Sequence, residues 1–238
     1  MKTGIICALE VEVNNILTEC ASVQEQKIAG TVCYTATRIG AAEELEVVLM
    51  LCGMGLANAA AGTQLLISHF GVNAVIFSGI AGSLVPEIGI NSVVVGKELK
   101  YIDAEVALIA ESEPHAEVFR AGEELLTLAL KTAENLGIEL QPVVIVSGNR
   151  FISSPDDVKF MRDELGAHAV EMEGAAVAHI CMKNGIPSLI IRAISDNCDT
   201  SYADFSNQKF SIHASAEKSA DFVVKLCEQV VHAGLYLH

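Results

Sequence analysis

Val170-Glu171-Met172-Glu173-Gly174-Ala175-Ala176 closes an apolar run and opens a segment of small residues, so it reads as a strand handing its last residues to a helix. Exits of this kind decide the fold class, because a chain that repeats them builds a sheet with helices laid across it. Two carboxylates flank Met172, and no lysine or arginine stands beside them in sequence. They suit a site that grips neutral polar groups such as ribose hydroxyls. They equally suit a solvated strand end before an acidic first helical turn, which the helix dipole favours. The segment by itself leaves both readings open.

The same pattern recurs in both directions along the chain. Thr3 to Ala8 is a compact apolar run, followed by helical spacing over Glu10 to Thr18. Alternation from Lys27 to Arg38 predicts a hairpin turning at Ala29-Gly30. Leu45 to Cys52 leads through Gly53-Met54-Gly55 into an alanine-rich helix over Leu56 to His69, and Ala74 to Phe77 leaves through a second glycine turn, Gly79-Ile80-Ala81-Gly82. After a valine-rich strand, Ser92 to Tyr101, the stretch Asp103 to Arg120 has no sustained period and reads as a long loop, the kind that serves as a lid or partner contact. A helix is expected over Glu123 to Leu136, then a strand over Val143 to Val146 that exits through Ser147-Gly148-Asn149-Arg150-Phe151-Ile152. Ser154-Pro155 marks another helix start, with serine as N-cap. Ser188 to Ile194 forms the last strand, running into Ser195-Asp196, and one long amphipathic helix closes the chain from about Phe205 to His232.

This alternation predicts a single α/β domain over residues 1–238, with a central mixed sheet flanked by helices on both faces. Glu12, Glu171, Glu173 and Asp196 all fall at strand exits, where open α/β sheets keep their ligands, so they can converge.

Composition narrows the function. The 15 lysines and arginines are outnumbered by 30 acids, a net charge of −15, which argues against nucleic acid as partner. Although 51% of the residues are hydrophobic, no uninterrupted apolar run approaches the roughly 20 residues of a membrane span. The excess belongs in a buried sheet or in subunit interfaces. No signal peptide can be drawn at the N-terminus, so a cytoplasmic protein is expected. Seven cysteines without a Cys-x-x-Cys pair or a histidine at zinc-finger spacing read as small buried hydrophobes rather than metal ligands. The Gly53-x-Gly55 pair lacks the third glycine of a dinucleotide fingerprint and the Gly-Lys-Ser/Thr of a P-loop, so neither cofactor class is expected.

Paired carboxylates suit glycosidic cleavage, in which one activates water and the other protonates the leaving group. Met54, Phe151 and Met172 would wall a flat base. The chain resembles the 5'-methylthioadenosine/S-adenosylhomocysteine nucleosidase family, of the nucleoside phosphorylase/hydrolase fold. The likeness rests on Gly4 to Glu12, the glycine turns at 53 and 79–82, Val146 to Ile152, Ala169 to Glu173 and Arg192 to Asp196, which follow the family order over nearly the whole chain.

The resemblance implies that Glu12 deprotonates the attacking water and Asp196 protonates N7 of the departing adenine, with Ser195 orienting Asp196 and Arg192 near the water and ribose. Glu173 would accept the ribose hydroxyls beside Met172, with Glu171 the weaker candidate of the pair. Phe151 would stack on the base and the Ile152 backbone read its edge, while Leu9, Met54, Val106 and Ile109 would meet the 5'-substituent. A cofactor-independent homodimer is implied, its lid loop completing the neighbour's pocket, with a place in methionine salvage. Hydrolysis is preferred over phosphorolysis because arginines are scarce, Arg38 being the only one before residue 120, and because a glutamate at the N-terminal turn would repel phosphate. Three positions depart from the family pattern. Ile80 stands where a small hydroxyl residue commonly helps hold the water, Ile102 replaces a histidine, and Leu56 stands in place of a lysine. Two alternatives remain: a nucleosidase for another adenine nucleoside, such as 5'-deoxyadenosine or a futalosine-like metabolite, and a non-catalytic nucleoside-binding relative.

Overall fold

A computed structural model describes residues 2–232. In chain order the first half contains β1 (Lys2–Cys7), α1 (Glu10–Leu17), β2 (Cys20–Ala21), β3 (Gln24–Ile28), β4 (Thr31–Ile39), β5 (Ala42–Leu51), α2 (Leu56–Ser68), β6 (Ala74–Ser83) and β7 (Val93–Tyr101). The second half contains α3 (Val106–Ile109), β8 (Phe119–Arg120), α4 (Glu123–Leu136), β9 (Leu140–Ser147), α5 (Pro155–Asp163), β10 (Ala169–Glu171), α6 (Gly174–Lys183), β11 (Ser188–Asp196), α7 (Tyr202–Ser206) and α8 (Lys209–His232).

The strands form one mixed sheet in the order β10-β9-β7-β11-β6-β1-β5-β4-β2, with β3 on β4 and β8 on β7. β1 lies parallel between β5 and β6, and β11 runs parallel to β6. Strand alternation sorts the core into two layers. Ile6, Met50 and Phe77 pack against Ala59 and Leu66 of α2 and Ala176 and Cys181 of α6, whereas Ile5, Leu49 and Ile76 face Val13 of α1, Ala129 of α4 and Phe222 of α8. Helices therefore cover both faces of the sheet.

Three local expectations need correction. The second glycine segment is no turn: Gly79 to Gly82 lies within β6, whose end bends so that Gly82 and Ser83 pair antiparallel with Val170 and Ala169 of β10. Glycine serves there to admit neighbouring side chains rather than to reverse the chain. The long loop after Asp103 carries one turn of helix, α3, and a short strand, β8, which pairs with Glu98 and Leu99 of β7. The C-terminal helix is broken into α7 and α8 at Asn207-Gln208. Ser154 does precede α5, with Pro155 in its first turn, but its side chain makes no capping bond.

The bend in β6 closes a ring of strands. Because β10 pairs with both β9 and β6, the strands β6, β11, β7, β9 and β10 encircle one another, and the exits of β6, β10 and β11 come together.

Candidate active site

A cavity with about 680 Å³ of empty space, open solvent included, lies at these exits. β1 and α1 supply Ala8, Leu9 and Glu12, β6 supplies Ile80 to Gly82, and the loops after β5 and β9 supply Met54 and Arg150 to Ile152. Val170 to Glu173 and Ser195, Asp196 and Cys198 complete the interior, with Tyr202 and Phe205 of α7 at one wall.

Glu12 sits in the first turn of α1 and is buried. Its Oε2 accepts the amides of Ala8 (2.9 Å) and Leu9 (3.0 Å), and its Oε1 accepts the amide of Ile80 (3.2 Å). The reach back to Leu9 is half of a capping box, which is why a first-turn glutamate turns inward here. Burial raises its pKa above that of a solvated glutamate, opposed by the charge of Arg192 and by those three amides.

Arg192, wholly inside β11, is 1% exposed and does not line the cavity; it lies behind it, with its guanidinium carbon 3.8 Å from the centre of the Phe77 ring. Nη2 bonds Glu171 Oε2 at 2.6 Å. This is the cation missing from the neighbourhood of Glu171 and Glu173 in sequence. A Cβ on Gly79 would stand 2.9 Å from both Arg192 Nη1 and Glu12 Oε1. Those two atoms are thus at most twice that distance apart, yet they form no direct ion pair. The space between them has the span of one bridging water.

Glu173 Oε1 accepts the amide of Gly55 at 2.8 Å, which ties the Met54 rim to the exit of β10. Burial first, then the nearby Glu171 charge, push its pKa upward, with Arg192 opposing. Asp196 is held by Ser195 Oγ at 2.8 Å on one oxygen and by the Cys198 amide at 2.9 Å on the other. The Ser195 hydroxyl also lies 3.2 Å from the Ala81 carbonyl. Its single proton can go to Ala81 or to Asp196. Gly82 makes room for this corner: a Cβ there would meet Cys198 Sγ at 2.4 Å and Asp196 Oδ1 at 3.0 Å.

Of the residues singled out from sequence, Leu9, Glu12, Met54, Ile80, Phe151, Ile152, Met172, Glu173, Ser195 and Asp196 line the one cavity. Val106 and Ile109, on α3, are not among its lining residues. Tyr202 and Phe205 were not anticipated; their rings stand 5.4 Å and 5.2 Å from that of Phe151. Their only sequence signal was two aromatics shortly after Asp196.

The sequence pattern of the phosphorylase superfamily matches residues 2–228. The aminodeoxyfutalosine nucleosidase of Helicobacter pylori is 34% identical over 96% of this chain and 99% of its own length. The 5'-methylthioadenosine/S-adenosylhomocysteine nucleosidase of Geobacillus kaustophilus is 33% identical over 95% of this chain and 96% of its own. Among solved structures, a futalosine hydrolase of Helicobacter pylori superposes with a TM-score of 0.88 at 31% identity, covering 96% of this chain and 98% of that one. The methylthioadenosine/adenosylhomocysteine nucleosidase of Neisseria meningitidis, in complex with methylthio-immucillin-A, gives a TM-score of 0.86 at 28% identity, covering 96% and 99%. Fold, site and likeness define an enzyme that hydrolyses the N-glycosidic bond of a purine nucleoside. The chain belongs to the phosphorylase superfamily and, within it, to the 5'-methylthioadenosine/S-adenosylhomocysteine nucleosidase family.

Proposed function

We propose that the chain releases adenine from 5'-methylthioadenosine, S-adenosylhomocysteine or both, using Glu12, Asp196 and Glu173 in the roles their positions suit. Glu12 takes a proton from a water seated between its Oε1 and Arg192 Nη1. The water oxygen adds to C1' as the bond to N9 breaks, through an oxocarbenium-like state, and Asp196 gives a proton to N7 of the leaving base. Glu173 accepts the ribose hydroxyls beside Met172. Phe151 stacks on the base, whose edge meets the Ile152 backbone, and Ser195 keeps Asp196 in place.

The observation that carries this reading is the pairing of cations and acids around the cavity. Arg192, outside the lining, is bonded to Glu171, and the lining cation, Arg150, is half exposed at the rim between Asp103 and Asp157, each at 3.4 Å. Neither forms a phosphate clamp beside the sugar, whereas Glu12 in a dry pocket is a stronger base than a solvated carboxylate. Adenine release from methylthioadenosine without phosphate, lost in Glu12→Gln, is the expected result. No release at high enzyme concentration would overturn it.

The Leu9, Met54 and Ile80 end of the cavity takes the 5'-substituent in this reading. The likeness to Helicobacter pylori aminodeoxyfutalosine nucleosidase favours a second substrate class, and a panel including a futalosine-type nucleoside and 5'-deoxyadenosine separates the two. Ile80 also suggests a non-catalytic relative; its amide, rather than a side-chain hydroxyl, serves Glu12, and turnover by the unmodified protein with none in Glu12→Gln would exclude that alternative.

We further read residues 1–238 as one domain of a cytoplasmic homodimer acting in methionine salvage. No helix among the described residues is long and apolar enough to cross a membrane, and the seven cysteines are unpaired. Dimerisation is supported by Val106 and Ile109 standing outside this chain's own cavity, by Leu108 between them at 64% exposure, and by the half-exposed Met54 at the cavity rim.

A further inference from the structure

Glu171 lines the cavity, but its carboxylate is engaged mainly by the protein itself. Its Oε1 takes the Ser147 hydroxyl in a short hydrogen bond, and its Oε2 takes Arg192 Nη2 at 2.6 Å and the amides of Glu173 at 3.1 Å and Gly174 at 2.7 Å. Four donors engage the carboxylate, three of them on Oε2. Ser147, wholly buried at the end of β9, in turn accepts the amide of Ala175 at 2.8 Å. The pair thereby joins β9, β10, the start of α6 and β11 at one point.

Arg192 depends on this junction. Among the described residues its Nε has no partner and Nη1 bonds only the Ile191 carbonyl at 3.2 Å, so the contact with Glu171 and the face of Phe77 set where the guanidinium lies. The charged groups around it are Glu171 of β10, Glu173 at the start of α6 and Glu12 of α1, with the thiols Cys7 of β1 and Cys52 after β5 beyond them. Freed from Glu171, the guanidinium has two other carboxylates within reach of its charge, Glu173 and Glu12, and the space above Gly79 lies between its Nη1 and Glu12 Oε1. A direct Arg192–Glu12 pair would close that space and lower the proton affinity of Glu12.

We propose that Ser147 and Glu171 are positioning residues that hold the Arg192 guanidinium off Glu12, keeping the seat between them open. The proposal rests on the nucleosidase reading for its kinetic consequence, but the geometry can be tested without turnover. Ser147→Ala leaves every charge in place and loosens Glu171; Glu171→Gln also removes the ionic partner. With methylthioadenosine as substrate, kcat is expected to fall about tenfold in the first and about 100-fold in the second, with KM changed by no more than about threefold. The acidic limb of the kcat/KM profile moves to lower pH in both variants. The Glu12 carboxyl, followed by NMR titration and assigned through Glu12→Gln, shifts its midpoint downward in the same order.

A merely structural role would lower the melting temperature of both variants while leaving that midpoint and kcat in place, and this overturns the proposal. If Glu171→Gln does not fold, Ser147→Ala decides. Should the unmodified protein release no adenine, the nucleosidase reading fails, and the Glu12 midpoint still decides the positioning role.

Discussion

Gly79 shows how far one residue's chemistry depends on its neighbours. In sequence it is one of many glycines; in the structure its missing side chain is the floor of the gap between Glu12 and Arg192. Gly79→Ala places a methyl group 2.9 Å from both polar atoms, in the volume a bridging water needs. The expected outcome is a kcat loss of about 100-fold or more in adenine release, since displacement of a positioned reactant by about 1 Å has effects of that size. A variant with near-normal kcat would remove the water seat from the mechanism. Glu12, Glu173 and Asp196 were legible as site candidates because they fall at strand exits, where open α/β sheets keep their ligands, and within the segments that carry the family resemblance. The difference between Glu171 and Glu173 was less so. Two residues apart on one exit, they point to different partners, Glu171 to Arg192 and Glu173 to the Gly55 amide, and neither partner is near them in sequence.

At the scale of elements, periodicity identified most strands and helices, including α1, α2, α4 and the β3–β4 hairpin. It misread β6, because glycine usually signals a turn and here signals close approach by Arg192 and Asp196. It left α7 joined to α8, and with that missed the aromatic wall that Tyr202 and Phe205 build beside Phe151. Element α3 carries a prediction of its own. Its side chains Val106 and Ile109 do not line this chain's cavity, and in the homodimer proposed above their expected place is a neighbour's pocket. Sedimentation at twice the monomer mass is the expected result, together with a raised KM for methylthioadenosine in Val106→Asp. A fully active monomer would refute any contribution of α3 to a partner.

Across the whole molecule, the site concentrates an electrostatic cost. Glu12 and Glu173 are buried carboxyls with raised pKa values, and Glu173 is pushed up to about 8, by burial first and the Glu171 charge second. A carboxyl whose folded-state pKa exceeds its unfolded value contributes its stability in full below the unfolded value and loses it as pH rises through the folded one. The ligand-free protein is therefore expected to lose stability between about pH 5 and about pH 8, and Glu173→Gln, which keeps an acceptor for the Gly55 amide, to lose less. Thermal melts across that range read the difference, at about 2–4 °C per kcal/mol for a chain of this size. A constant gap between variant and parent would show that Glu173 is ionised in both states.

The sequence by itself determined the α/β class, the covering of both sheet faces and the family, because these follow from periodicity, composition and motifs carried within short segments. Only the tertiary structure decided which residues meet. The closure of β6 on β10 brings exits from opposite ends of the chain around one cavity, and Arg192 is then shared among acids that lie 19 to 180 positions away. Such pairings depend on strand order and register, which local sequence does not encode, and they divide the carboxylates between those bound to the protein and those left for a substrate.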